Sequence, residues 1–433
     1  MKARKFIQVL VVSFIMIASL VVPILAVCNC VDDQEEYEKE CTTAIAVGKA
    51  TVDGRTLVCQ SRDNNTGKMS KIVVRMTVDD ETGIKVIGML NSEGVGAAGN
   101  GIGCVPGAQC DSDTYIDKDS GYRLDHGYMK DAYPDYCHDY PWLARSYILR
   151  KAHSAEEALK LATDGLPPGS WEITGPIKDN AFGAANTFIG PHLWNFSKDP
   201  AGWNKDVRRE RAQQLLDERM GTITTPWMFR IMRDHDLYDY DLTVSSDNDG
   251  HIARRGYNGF NGGTYYCFVN EVHPEYTDML SVYWTTFNWQ LISPFLPFFI
   301  GLPAIPPAVT EGDANKTVVF QELLNAVAYN MDLLPKVEQF WESFEFETLR
   351  EIVYLEKQVI KLVDDGNREA AEQLLYDFCN EKVELAITYA TMLTEKVIED
   401  SLIKVDVKVS PWQPEGYNES WNLEKCPPPA LPK

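Results

Sequence analysis

Positive charge is scarce in this chain. Its 41 Lys and Arg stand against 63 Asp and Glu, a formal net charge of −22 at pH 7. A surface of that sign repels phosphate backbones, which argues against non-specific nucleic-acid binding. Histidine is sparse too, with 7 dispersed residues. There is no His-Glu-x-x-His and no paired Cys-x-x-Cys, so no zinc site is legible and no cofactor is implied. Gly94, Gly96 and Gly99 have the spacing of a dinucleotide-binding loop. Asn100-Gly101-Ile102-Gly103-Cys104-Val105-Pro106 follows, however, and cannot begin the helix such a loop requires. No internal repeat and no low-complexity tract is present.

A continuous apolar run long enough for a leader or a membrane span is found at the N-terminus alone. Lys2, Arg4 and Lys5 precede an uncharged stretch from Phe6 to Val27. That is the order of a signal peptide, and the run is also long enough to span a bilayer. Residues 1–27 therefore read as a signal peptide or a membrane anchor, with a tether through residues 6–27 left open. Residues 28–40 read as an acidic spacer, since Val31 to Glu40 is nearly devoid of apolar side chains. The expected location is secreted or extracytoplasmic, including a lysosome-like compartment.

Ten cysteines fit an exported chain. Cys28 and Cys30 lie in the spacer. Cys59, Cys104, Cys110, Cys137, Cys267, Cys379 and Cys426 remain besides Cys41, and an odd number cannot all pair within one chain. Cys104 and Cys110 flank a Gly/Pro loop and are the best local bridge, but the connectivity stays open. Asn64, Asn195, Asn315 and Asn418 each sit in an Asn-x-Ser/Thr pattern and are expected to be surface glycan sites.

From Cys41 the texture changes. Cys41 to Val47 is a strand candidate, Asp53-Gly54 a turn, and Thr56 to Cys59 a second strand, so the pair reads as a hairpin. Lys71–Thr77 and Lys85–Leu90 add two strands. Ala155–Ala162 and Arg208–Leu216 carry helical patterning. Thr264–Val272 and Ser281–Trp289 return to strand, and Phe295 to Pro307 reads as an irregular packed segment. Ile352, Leu355, Val359 and Leu362 recur at helical spacing up to Gly366. Ala371, Leu374, Leu375, Phe378, Leu385, Tyr389 and Met392 continue the period beyond it. This predicts an α+β fold of sheets covered by helical layers, with a core at 41–310 and a helical C-terminal part at 311–433 packed on it.

Cys41 is the residue with the most chemistry. A cysteine freed of everything before it is a self-contained catalyst. The thiol attacks, and the α-amino group, with a pKa of about 7.7–8.0, can accept and return the proton. From spacing alone a buried structural cysteine or disulfide partner is the favoured reading.

The sequence from this point resembles a known family. Glu40-Cys41-Thr42-Thr43, then Val47-Gly48-Lys49-Ala50-Thr51-Val52-Asp53-Gly54-Arg55-Thr56-Leu57-Val58, resembles the opening of the secreted cysteine dipeptidases. These are N-terminal-nucleophile hydrolases, related to bile-salt hydrolase, penicillin V acylase and acid ceramidase. Asn91-Ser92-Glu93-Gly94-Val95, Ser154-Ala155-Glu156-Glu157-Ala158, Ala185-Asn186, Arg233-Asp234-His235 and the stretch from Trp284 through Ser293-Pro294-Phe295-Leu296-Pro297-Phe298-Phe299 resemble later family segments in the same order.

The resemblance implies a four-layer αββα sandwich with a C-terminal helical hairpin. It implies self-cleavage before Cys41 and thioester-mediated hydrolysis of a linear amide, most readily a dipeptide. Cys41 would be the nucleophile. Asp63 would hold the new amine, with an ordinary turn Asp as the alternative. Asn186 would receive the oxyanion, with Asn100 a weaker donor that also reads as a turn residue. Arg208 and Arg211 match the family's Arg pair, Arg211 being the expected catalytic member; a solvated helix face is the alternative. The chain departs from the family at Gln60, where an Arg is usual. An N-acyl amino acid or bile-salt-type acylase, and a non-catalytic binding protein on the same scaffold, are the other readings. The expected partner is a small peptide or amide; self-association into a homo-oligomer stays open.

Overall fold

In this computed structural model the structure describes residues 41–63, 72–78, 83–91, 101–103, 181–185, 205–235, 252–253, 255–257, 261–328 and 331–399. The chain divides into two compact units, Met1–Lys39 and Glu40–Lys433. The first, with the expected leader and most of the spacer, lies outside the described residues. So do the helix expected at 155–162, the Cys104–Cys110 pair and the glycan sites Asn64, Asn195 and Asn418.

The second unit is α+β with antiparallel sheets and a helical C-terminal part. β1 (Cys41–Gly48) and β2 (Gly54–Asp63) form the expected hairpin. Gly48 and Gly54 lie at φ 52° and 83°, where a side chain on the backbone would be strained. Thr51 closes the turn by donating its hydroxyl to the Gly48 and Arg55 carbonyls, at 3.0 and 2.8 Å. β3 (Ile72–Val78), β4 (Lys85–Asn91) and β5 (Gly101–Gly103) make a three-stranded sheet.

The larger sheet adds β6 (Ala181–Ala185), β8 (Asn261–Val272), β9 (Val282–Thr285) and β10 (Leu296–Phe299) in the order β10-β9-β8-β2-β1-β6. β7 (Arg255–Tyr257) pairs with β8. Two sequence expectations change here. The strand expected over Ser281–Trp289 stops at Thr285, because Asn288 adopts φ 85° and the chain folds back as a buried loop. Its polar groups are bonded within the loop and to Gln321. Phe287 N donates to Ser293 Oγ (2.9 Å), Thr286 Oγ1 to the Asn288 carbonyl (3.1 Å) and Asn288 Nδ2 to Gln321 Oε1 (2.7 Å). The segment expected to be irregular, Phe295–Pro307, contains β10. Pro297 is compatible with a strand there because β10 ends the main strand order.

Helices α1 (Lys205–Asp217) and α2 (Thr225–Met232) lie on one face of the large sheet. The contact of α1 with β6 is close. A Cβ on Gly183 would stand 2.9 Å from Ala212 Cβ, the Arg209 carbonyl oxygen and Gln213 N. Two of those three atoms are backbone, so the helix itself would have to move. Gly183→Ala is therefore expected to lower stability by about 1–3 kcal/mol, read as an earlier urea midpoint with an unchanged slope. On the same face Phe229 of α2 meets Trp284 edge-on at 5.2 Å and stacks on Phe295 at 4.3 Å. The opposite face of β2, β8 and β9 is buried as well, at Val58, Gln60, Phe268, Asn270 and Tyr283. A strand buried on both faces reads as a nearly continuous apolar run, which is how β9 and β10 appear in the sequence.

The C-terminal part begins after a short helix α3 (Thr277–Leu280). It contains α4 (Val318–Ala328), α5 (Leu334–Asp364) and α6 (Arg368–Ile398). Gly366, at φ 77°, ends α5, and the Asn367 amide returns to the Leu362 carbonyl at 2.8 Å. Asn367 then caps α6 by accepting from Ala370 N at 3.4 Å. Lys382 and Glu351 form a buried ion pair between the two long helices. Arg55, just past the hairpin turn, meets Asp53, Glu271 of β8 and Glu356 of α5. Glu271 also accepts from Thr225 Oγ1 (2.9 Å) and Trp284 Nε1 (3.1 Å), so one carboxylate ties sheet, α2 and α5 together.

One glycan expectation is corrected. Asn315 is buried, its Nδ2 donates to the Thr310 carbonyl (2.8 Å), and its Oδ1 accepts from Thr317 N (3.0 Å) and Thr317 Oγ1 (2.8 Å). The asparagine and the hydroxyl of that pattern serve each other as a turn, which leaves no room for a sugar in the folded protein. Cys59, Cys267 and Cys379 are all buried, and burial pushes the Cys379 thiol up to about 12. Among the described residues no helix is long and apolar enough to cross a membrane.

Candidate active site

Cys41 is the first residue of β1, an inner strand with β2 on one side and β6 on the other. Antiparallel pairing brings the start of β1 beside the ends of both neighbours. Cys41 is in register with Arg62, and Thr42 with Ser61 on one side and Ala185 on the other. β2 ends at Asp63, one residue beyond the partner of Cys41, after a register shift at Arg62/Asp63 against β8. β6 ends at Ala185, the residue before Asn186. Asn186 and Asn100 lie outside the described residues. Thus Cys41 and Asp63 sit on adjacent strand ends at one end of the sheet.

The residue next to Cys41 is held from two sides. Arg208 of α1, 4% exposed, donates from Nη1 to Thr42 Oγ1 at 3.1 Å. The Thr42 amide donates to Ser61 Oγ at 3.2 Å. Arg211, one turn on, leaves the sheet. It forks onto Asp234, Nε to Oδ2 at 2.9 Å and Nη2 to Oδ1 at 2.6 Å, and that hydrogen bonding raises its pKa further. Of the Arg pair named from sequence, then, Arg208 reaches the start of β1 and Arg211 secures α1 to the chain after α2. The pattern of α1 could have separated them. Arg208, Ala212 and Leu216 fall four residues apart on the buried stripe, although charge dominates the local composition. Ser61 carries no distinguishing signal in the sequence.

The segment Arg233-Asp234-His235 has a structural account. Arg233 and Glu345 of α5 are each only 4% exposed. The guanidinium forks onto the carboxylate with two contacts of 2.6 Å, donates from Nε to the Gln290 carbonyl at 2.8 Å, and lies over the Phe295 ring at 5.1 Å. Glu345 Oε1 also accepts from Phe295 N at 2.6 Å. Asp234 takes Arg211, and its carbonyl accepts from Ile252 N and Ala253 N. Gln60 is buried in β2, in register with Thr43 and Phe268. Among the described residues no group of three or more His, Cys, Asp or Glu is arranged to hold a metal ion. Comparisons with protein-family models and with curated proteins return no match.

Proposed function

We propose that this protein is a hydrolase of linear amide bonds, most plainly a dipeptidase, with Cys41 as an N-terminal nucleophile released by self-cleavage after Glu40. The observation that carries the reading is the place of Cys41. The compact unit starts at Glu40, and Cys41 opens an inner strand whose neighbours end beside it. Among the described residues no strand of the large sheet precedes β1.

The chemistry follows from the two groups of one residue. The Cys41 thiol gives its proton to the α-amine and its sulfur attacks the substrate carbonyl carbon. The C–N bond breaks, and the proton leaves with the amine product. Water then attacks the thioester with the α-amine as base, releasing the acid and restoring the thiol. Asp63, at the end of β2, holds the protonated amine. Asn186, directly after β6, donates to the oxyanion. Arg208, bonded to Thr42, fixes the start of β1 from the α1 face. In this reading the three-stranded sheet covers the buried second face of the large sheet, giving the four layers of an αββα sandwich. The substrate is a small peptide or related amide met in a secreted or lysosome-like compartment.

The test is N-terminal sequencing and intact mass of active protein. A chain beginning at Cys41 is expected; turnover by protein in which the Glu40–Cys41 bond is intact would overturn the proposal.

A further inference from the structure

The chain between β8 and β9 is organised around one imidazole. His273 is buried, and its Nδ1 accepts from Glu275 N at 3.2 Å and from Tyr276 N at 3.0 Å. Backbone amides can only donate, so Nδ1 is a bare lone pair and the ring's single hydrogen sits on Nε2. An imidazolium carries hydrogen on both nitrogens. Protonation would therefore turn the shared acceptor into a third donor facing the other two. The backbone of the same residue closes the rest of the turn. Its amide donates to Ser281 Oγ at 3.1 Å, and its carbonyl accepts from Thr277 Oγ1 at 3.1 Å.

This turn also receives the tip of the long helical hairpin. Tyr276 Oη donates to Oδ1 of Asp364, the last residue of α5, at 2.9 Å. Arg368, the first residue of α6, donates from Nη1 to Asp278 Oδ2 at 2.7 Å. Both contacts are exposed, and exposed contacts between long side chains hold little unless the backbone beneath them is fixed. We propose that the turn from His273 to Leu280 is an acid-sensitive seat for the tip of the α5–α6 hairpin, closed while His273 is neutral and opened when its Nδ1 takes a proton. The seat stands apart from the chemistry proposed for Cys41. The ladder between β8 and β9 ends at Glu271 and Val282, so opening the seat leaves that pairing intact.

The groups around the ring favour the neutral, closed state. Burial acts first, and Arg55 of β2 acts in the same direction. Glu271 of β8, Glu275 of the turn and Asp53 of the hairpin turn act the other way and do not prevail. Glu356 of α5 meets the same Arg55, and the Tyr276 ring meets the imidazole edge-on at 5.7 Å. The ring is thereby held below its ordinary 6.5. A folded value below the unfolded one means that the unfolded chain takes up a proton the native state refuses. The stabilisation is complete above about 6.5 and is lost as the pH falls from there through the folded value.

The experiment is amide hydrogen exchange on the full chain, corrected for the intrinsic effect of pH, at about pH 7.5 and about pH 4.5 for wild type and His273→Asn. An asparagine oxygen accepts from the amides that follow it at either pH. In wild type, protection of residues 273–280 and of the tip at 364–368 should fall by roughly threefold to tenfold at the acid pH, while in His273→Asn it should hold. Unchanged protection in wild type overturns the seat. An equal loss in both proteins overturns it too, because the proton would then belong to a carboxylate. Nitrogen-15 spectra of histidine-labelled wild-type protein keep the test decisive if the variant does not fold. A bare Nδ1 at neutral pH that gains hydrogen on acidification supports the proposal. Hydrogen on Nδ1 at neutral pH, or a ring still neutral at about pH 4.5, overturns it.

Discussion

On the proposed mechanism Cys41→Ala should reduce dipeptide turnover by roughly 10⁴-fold or more, since a nucleophile has no substitute within its own residue. On the proposed self-cleavage the same variant should retain the residues before Cys41, because the sulfur assigned to that cut is the atom removed. Its thermal midpoint should stay close to that of wild-type protein. The measurement is steady-state hydrolysis of a dipeptide panel, with the midpoint and intact mass recorded on the same preparation. Loss of turnover together with loss of folding would point to a structural cysteine instead. Wild-type turnover by a folded Cys41→Ala protein would remove the mechanism.

The second large effect concerns stability. Glu345→Ala should cost about 3–5 kcal/mol, a large part of the 5–15 kcal/mol typical of a folded domain. The carboxylate that neutralises Arg233 would be gone while the guanidinium stayed at a site only 4% exposed. The Phe295 amide would also lose its acceptor. The double variant Arg233→Met/Glu345→Leu should recover most of the loss, because no unpaired charge is left in the core. Urea midpoints of the three proteins at neutral pH decide it. A double variant as unstable as Glu345→Ala would place the cost in packing rather than in the orphaned charge.

The parts of the fold legible in the sequence are those fixed by local chemistry. The β1–β2 hairpin follows from Asp53-Gly54 between two apolar runs, and the α5–α6 hairpin from two apolar stripes with Gly366 between them. What escaped depends on partners distant in the chain. Pro297 argues against a strand locally, yet β10 is at the end of the main strand order and the residue is compatible there. The run from Ser281 to Trp289 is apolar enough for one long strand, but Asn288 reverses the backbone and the loop's polar groups find each other. The same limit acts at the candidate site. The sequence brings out Cys41, Asp63 and an Arg pair. Which arginine meets the start of β1 is decided by how α1 lies over Gly183, and that is a matter of tertiary packing. Asn315 carries a correct three-residue pattern, and its burial comes from the way residues 310–317 fold.

The pairing of β2 with β8 has a consequence during synthesis. It joins residues 56–63 to residues 264–272, roughly two hundred positions further along. A ribosome adding about 5–20 residues per second needs on the order of 10–40 s to cover that interval. Throughout it, the hairpin that begins at Cys41 emerges with an unpaired backbone along β2, an invitation to other nascent chains. Any maturation that needs the finished sheet must wait until residues 264–272 have been made. Chaperone demand should accordingly be greatest in the window between the appearance of β2 and that of β8.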